Sequence, residues 1–393
     1  MFKGAAISTD VEIIEVEVER ILPGGMGLAH ANGKTVFVSL AAPGDRLRVR
    51  VERVQGNVLF ASVVDVLAPS PVRVEPPCPY FGRCGGCDFQ QLTYEAQLAA
   101  KAAIIRDCLQ RIARLDEVPD FIVHPSPNNW RYRVRATWQI DLPDIGYYER
   151  GSRRVCDVAE CAVLMPELQQ TLERVRATEW PEFPPDLKHL DVVAGEHGVS
   201  LSPPFAEFDT SELSLRVGNE VYQYNAEAFF QINPALLPSL IEFALSDVRG
   251  ETALDLYCGV GLFTLPLARR FAKVVGVEAN PVATRFAKRN LQLAGLTNAR
   301  VTTTNVADGI RNVSSADFIL LDPPRAGAES VVIKRISELG PERISYVSCD
   351  PATLARDLKK LIAGGYVIES LAGFDLFPQT HHVETVVLLR RLS

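Results

Sequence analysis

Apolar and polar positions alternate through residues 8–66 in short runs: Val11-Glu12-Ile13, Val16-Glu17-Val18-Glu19, Thr35-Val36-Phe37-Val38, Leu47-Arg48-Val49-Arg50-Val51 and Val58-Leu59-Phe60-Ala61. A period of two puts the apolar set on one face of a strand, so five short half-buried strands are predicted. Turn signals separate them at Pro23-Gly24-Gly25, Asn32-Gly33 and Pro43-Gly44-Asp45. Short strands spaced this closely predict a small closed barrel. Pro69, Pro71, Pro76, Pro77 and Pro79 then make a stiff connector. A helix is expected from about Tyr94 to Leu115, with Leu98, Ile105, Leu109 and Ile112 near helical spacing. Residues 118–225 mix strand and turn signals that point to no single topology. From Phe229 onward the pattern alternates strand, glycine loop, helix and strand, as a parallel doubly wound sheet requires. The chain thus divides into a barrel over 1–68, a central α+β unit over 69–225 and an α/β unit over 226–393.

Composition narrows the class. The chain has 393 residues, 47% hydrophobic and 23% charged, with no apolar run long enough to span a bilayer and no basic-plus-apolar leader. A soluble cytoplasmic protein without a membrane role is expected. The net charge of −7 argues against a non-specific nucleic-acid coat but is compatible with a local basic groove. Trp130-Arg131-Tyr132-Arg133-Val134-Arg135, if a strand, would place three arginines on one face for RNA, and Arg150, Arg153 and Arg154 form a second candidate.

Eight cysteines are too few for a disulfide scaffold in a chain of this size. Cys78, Cys84 and Cys87 are spaced C-x5-C-x2-C in a loop rich in glycine and proline, which lets three thiolates converge on one centre. Cys156 and Cys161 are both available as a fourth ligand, and spacing leaves zinc and an iron–sulfur cluster open. The C-x3-C-x2-C loop of radical enzymes is not matched.

The α/β unit carries the chemistry. Asp255-Leu256-Tyr257-Cys258-Gly259-Val260-Gly261 reads as a strand running into a glycine turn, and Val274-Val275-Gly276-Val277-Glu278 as a second strand ending in a carboxylate that can accept ribose hydroxyls. The GxGxxG pattern is absent, which disfavours a dinucleotide and favours an adenosine cofactor without phosphates, S-adenosylmethionine. Asp322-Pro323-Pro324-Arg325 puts a carboxylate after a further strand, and Arg325 stands where amino-methylating enzymes of bases carry an aromatic. Cys349 follows the run Ile344–Ser348, and Glu384 enters the apolar run Val383–Leu389. A thiol and a carboxylate delivered to one cleft make a nucleophile and a base.

These motifs, with Phe229-Phe230-Gln231-Ile232-Asn233-Pro234 and His382-Val383-Glu384-Thr385-Val386, resemble the RNA 5-methyluridine methyltransferases, and most of all the ribosomal-RNA branch. The barrel, with its Gly24-Gly25-Met26-Gly27 turn, resembles the OB-like TRAM domain of that branch. The resemblance implies a Rossmann-like methyltransferase domain, RNA as partner, ribosomal RNA as its most expected form, a monomer, and a [4Fe-4S] cluster on Cys78, Cys84, Cys87 and Cys161. It makes Cys349 the nucleophile and Glu384 the base. Gln231, Tyr257, Glu278, Asp308 and Asp322 become cofactor contacts. Leu262 departs from the asparagine frequent in relatives. A transfer-RNA target, a non-catalytic RNA-binding protein and a small-molecule methyltransferase are the competing readings.

Overall fold

A computed structural model describes residues 12–179, 182–208 and 212–392. Val11, at the start of the first expected strand, lies outside these. Strands β1 (Ile13–Ile21), β2 (Gly27–Ala31), β3 (Lys34–Ser39), β4 (Arg46–Gln55) and β5 (Val58–Ala68) close into a barrel in the order β1-β2-β3-β5-β4. The two apolar runs before Arg20 are one strand, β1, and the fifth strand is β2. Sequence alternation misses β2 because it turns Gly27 and Ala29 inward, where a Cβ on Gly27 would lie 2.8 Å from that of Ala41. Between β2 and β3, Asn32 and Gly33 both take positive φ, 51° and 73°, the geometry of a two-residue hairpin turn. Buried Asp45 accepts from the amides of Ala42 and Ser70 and is gripped by Arg73 at 2.7 Å, which fastens the barrel to the proline connector.

Helix α1 (Tyr94–Cys108) starts where the Thr93 hydroxyl accepts from the amide of Ala96, and ends in a wider turn at Leu109–Ala113. Its buried face is Gln97, Ala100, Lys101, Ile104, Ile105 and Cys108, whereas Ile112 is exposed. Two polar residues on that face hide its period from the sequence. The short strand β6 (Val123–His124) follows.

The middle of the chain folds into β7 (Arg135–Asp141), β8 (Asp144–Tyr148), β9 (Val155–Asp157), α2 (Pro166–Ala177), β10 (His189–Ala194) and β11 (Val199–Ser202). The strands form an antiparallel sheet in the order β11-β10-β7-β8-β9, with α2 packed over Trp138 and Leu190. Residues 130–134 are not a strand. Arg131 has φ of 53°, which breaks the alternation, and Arg135 turns inward to donate to the carbonyls of Ala226 and Ala228. The expected arginine face is therefore absent. A hairpin, β12 (Leu213–Val217) and β13 (Glu220–Tyr224), stacks Tyr224 on Phe230 at 4.6 Å.

The remaining elements are α3 (Leu237–Leu245), β14 (Gly250–Leu256), α4 (Thr264–Ala268), β15 (Phe271–Glu278), α5 (Pro281–Leu293), β16 (Ala299–Thr303), α6 (Val306–Gly309), β17 (Phe318–Leu321), α7 (Ser330–Leu339), β18 (Arg343–Ser348), α8 (Pro351–Ala363), β19 (Tyr366–Phe374) and β20 (Glu384–Arg391). Their strands form an eight-stranded sheet in the order β16-β15-β14-β17-β18-β20-β19-β6. It is parallel except for β20, which slots antiparallel between β18 and β19. Apolar cores cover both faces, as near-continuous apolar strands such as Phe318–Leu321 require. One of those cores contains α1: Ile104, Ile105 and Cys108 pack with Leu256, Ile344 and Leu389. The eighth strand is β6, paired with Gly373 and Phe374. Both elements precede the central sheet in the chain yet pack into the C-terminal unit.

Candidate active site

In an open parallel sheet, side chains just beyond the carboxyl ends of the strands share one rim. Glu278 ends β15, Tyr257 follows β14, Asp322 follows β17 and Cys349 follows β18. Because β20 is antiparallel, its first residue, Glu384, reaches the same rim.

The turn after β14 is shaped for close approach. Tyr257, Gly259 and Gly261 all have positive φ, and the amides of Gly259 and Asn280 donate to the two oxygens of Glu278 at 3.1 and 2.7 Å. That holds the carboxylate at the rim with lone pairs to spare. Gln231 reaches the same edge, its Nε2 lying 3.5 Å from Oδ2 of Asp322. Leu262 is a core residue against Phe230, and its carbonyl accepts from the Tyr222 hydroxyl at 2.9 Å, so position 262 contributes packing where an asparagine would offer a polar side chain. Asp308 stands apart: its carboxylate is 63% exposed and pairs with Arg311 at 3.0 Å.

Around the thiol, acidic groups crowd one cation. Burial, with Glu384 adding to it and Arg325 opposing it, pushes the Cys349 thiol up to about 12. Glu384 is 2% exposed, its Oε1 has no hydrogen-bond partner among the described residues, and burial with Asp322 lifts its carboxyl well above the ordinary range. Burial also pushes Asp322 up to about 7. Asp255, which sequence reasoning passed over, is pushed up to about 7 by burial while the Thr264 hydroxyl donates to it at 2.5 Å. His382 is driven down to about 3 by burial, by His381 and by Arg325, and is a neutral imidazole near this cation. Arg325 and His382 were missing from the sequence-derived set. The DPPR motif held a signal for the first, since a cation beside two buried acids and a thiol sets which of them ionises.

A second constellation lies next to the first. Cys78, Cys84, Cys87 and Cys161 line one cavity with Arg133 and Tyr147, and all eight cysteines are free. Cys156 is buried in β9 and does not line the cavity, though it lies close enough to raise Cys84. Burial pushes Cys84 up to about 11 and Cys87 up to about 12. Among the described residues no three His, Cys, Asp or Glu side chains converge on the position of one bound ion. Arg133 lies half-buried against these thiols, pairs with no carboxylate among the described residues, and leaves its buried Nε without a partner. Cys87, Cys161 and Cys349 pack on the same apolar cluster of Tyr132, Val163, Ile232, Leu236, Leu376 and Phe377, so the two constellations share a wall. The second arginine candidate is partly spent there: Arg150 donates to the Cys87 carbonyl at 2.7 Å and Arg154 pairs with Glu149 at 3.7 Å.

This fold and rim define a Rossmann-like S-adenosylmethionine-dependent methyltransferase joined to a small closed barrel. Residues 205–392 match the family model for tRNA (Uracil-5-)-methyltransferase, and residues 8–64 match the TRAM domain. The chain is 34% identical to the 23S rRNA (uracil(1939)-C(5))-methyltransferase RlmD of Chromohalobacter salexigens, covering 96% of this chain and 89% of that one. It is 33% identical to an uncharacterized RNA methyltransferase of Thermotoga maritima, covering 95% and 98%. The crystal structure of Pyrococcus abyssi tRNA (uracil-54, C5)-methyltransferase in complex with S-adenosyl-L-homocysteine superposes with a TM-score of 0.74 at 28% identity, over 95% of this chain and 100% of that one. The chain belongs to the RNA uracil-5-methyltransferase family and takes its methyl group from S-adenosylmethionine.

Proposed function

We propose that this enzyme methylates carbon 5 of a uridine in 23S ribosomal RNA through a covalent adduct on Cys349. The observation that carries the reading is the gathering of Cys349, Glu384, Asp322 and Arg325 at the rim where Glu278 and the glycine turn receive a cofactor. Carbon 5 of uracil is a weak nucleophile. The Cys349 thiolate adds to carbon 6, and the ring electrons move onto the carbonyl oxygen as an enolate. Carbon 5 then attacks the sulfonium methyl group, which releases S-adenosylhomocysteine. Glu384 removes the proton left on carbon 5, and the electron pair restores the ring double bond as the Cys349 sulfur departs. Arg325 opposes the charge of both groups. The target base must leave its stack to reach the thiol.

Cofactor binding is assigned to Glu278 for the ribose hydroxyls, with Tyr257, Gln231 and Asp322 around it. Asp308 joins this set by releasing Arg311. Cys78, Cys84, Cys87 and Cys161 are assigned to a [4Fe-4S] cluster that holds the central sheet beside the active site. Arg133 supports it, because its buried Nε lacks a partner and it meets no carboxylate among the described residues, and four metal-bound thiolates would supply negative charge beside it. Anaerobic analysis should find iron and sulfide in the purified protein; zinc without sulfide would overturn the assignment. The enzyme is read as a cytoplasmic monomer, and among the described residues no helix is long and apolar enough to cross a membrane.

A transfer-RNA target is the second reading, favoured by the likeness to the Pyrococcus abyssi tRNA enzyme. Mapping 5-methyluridine in both RNAs from a strain lacking the gene separates them: the ribosomal reading requires loss from 23S RNA with transfer RNA unchanged. For the chemistry, Cys349→Ala should form no RNA adduct and transfer no methyl group. Glu384→Gln should still methylate the uridine and stay attached to the RNA through denaturing electrophoresis. Normal turnover by Glu384→Gln would refute the assignment of the base.

A further inference from the structure

The segment Asp375–Val383, which leads into Glu384, is irregular yet almost wholly buried. Buried loops are rare because their backbone groups must find partners. Here the partners come from distant parts of the chain. Lys101 reaches the Phe377 carbonyl at 3.0 Å, the Tyr132 hydroxyl donates to the Pro378 carbonyl at 2.9 Å, and Gln97 exchanges two hydrogen bonds with Gln379. The densest set comes from the residue that follows Cys87. Asp88 accepts from the His381 amide at 2.8 Å and meets Nδ1 of the same residue at 2.5 Å. The amides of Asp88 and Phe89 both donate to the Gln379 carbonyl, at 3.1 and 3.0 Å. On its other side His381 abuts the barrel, since a Cβ on Gly25 would lie 2.9 Å from the His381 Cβ.

We propose that Asp88 is a positioning residue for Glu384, so that the conformation of the cysteine loop sets how well the base reaches carbon 5. Glu384 lies three positions after His381, and the grip of Asp88 is the last hydrogen bond from outside the segment before the chain enters β20. Cys349 and the cofactor rim are held by other elements, β18 and the turn after β14. Loosening the grip should therefore slow proton removal while leaving methyl transfer intact. This inference rests on the proposed roles of Cys349 and Glu384.

The test uses full-length protein, ribosomal RNA purified from a strain lacking the gene, and cofactor with a labelled methyl group. For Asp88→Ala, single-turnover methyl transfer and affinity for S-adenosylhomocysteine should match the wild type. Release of methylated RNA should slow on the order of tenfold or more, since a misplacement near 1 Å can cost about a hundredfold, so that adduct accumulates on gels. Asp88→Asn should restore release, because its side chain still accepts from the His381 amide. If Asp88→Ala does not fold, His381→Ala reads the same partition from the other side of the contact. Glu384→Gln in parallel separates the two levels of the argument. Should it trap no adduct, the assignment of the base fails and the inference falls with it. Should it trap adduct while Asp88→Ala releases product at the wild-type rate, the positioning role alone is wrong. Equal losses of melting temperature, cofactor affinity and both chemical steps in Asp88→Ala and Asp88→Asn would make Asp88 a structural residue and also overturn the proposal.

Discussion

At the scale of single residues, burial at the rim raises the carboxyls of Asp322 and Glu384. Asp322, with its carboxyl raised to about 7 by burial, binds a proton in the folded state at pH values where the unfolded chain has released it. Its stabilising contribution is full below about pH 4 and is lost as the pH rises through 7. Thermal unfolding without cofactor should therefore show a midpoint that falls between pH 5 and pH 8, and the fall should shrink in Asp322→Asn. An undiminished fall would remove Asp322 from the cause. Glu278 sits differently, since two backbone amides hold its carboxylate ready for the ribose. Glu278→Ala should weaken S-adenosylmethionine by about 1.5–3 kcal/mol, tenfold or more by calorimetry, because charged hydrogen bonds are the strong ones. The placement of Glu278, Asp322 and Cys349 was legible in the sequence, because each ends or directly follows a recognisable strand. His382 and Arg325 were harder to read, because their part is set by neighbours on other elements.

At the scale of elements, legibility followed the locality of the signal. The Asn32-Gly33 turn and the strand ending at Glu278 depend on neighbours in the chain, and both were read correctly. The strand expected at Trp130–Arg135 failed on one backbone angle at Arg131. The face of α1 was misjudged because its buried Gln97 and Lys101 look like solvent residues until Gln379 and Asp375 are placed beside them. Asp45 is the barrel's counterpart of that pair, fully buried and satisfied by Arg73 and two amides. Asp45→Ala leaves Arg73 without its anion and should lower stability by about 3–5 kcal/mol, the usual cost of removing one partner of a buried pair. Chemical denaturation of the whole protein measures it, and a change below about 1 kcal/mol would mean that the pair is no better than a surface one.

At the scale of the whole molecule, the units legible as successive stretches of sequence are interlocked in space. The C-terminal sheet was readable as an α/β unit, but the antiparallel entry of β20 and the capture of α1 and β6 depend on pairings that no local pattern encodes. A fragment spanning 226–393 would lack α1 and would expose the β19 edge together with the apolar surface of Ile344 and Leu389. It should aggregate or unfold without cooperativity, whereas co-expression with a fragment carrying 69–125 should raise its soluble yield. A fragment that melts as sharply as the full chain would contradict this.

The capture of β6 by β19 also has a consequence for biosynthesis. β19 begins at Tyr366, about 240 residues after β6 ends at His124, and synthesis at 5–20 residues per second leaves roughly 12–50 s between their appearances. For that interval α1 has left the ribosome with Ile104, Ile105 and Cys108 uncovered and with Lys101 lacking its acid, while the central sheet can already fold downstream. The nascent chain must carry an unfinished helix past a finished domain, which makes this stretch the natural point of engagement for a chaperone during translation.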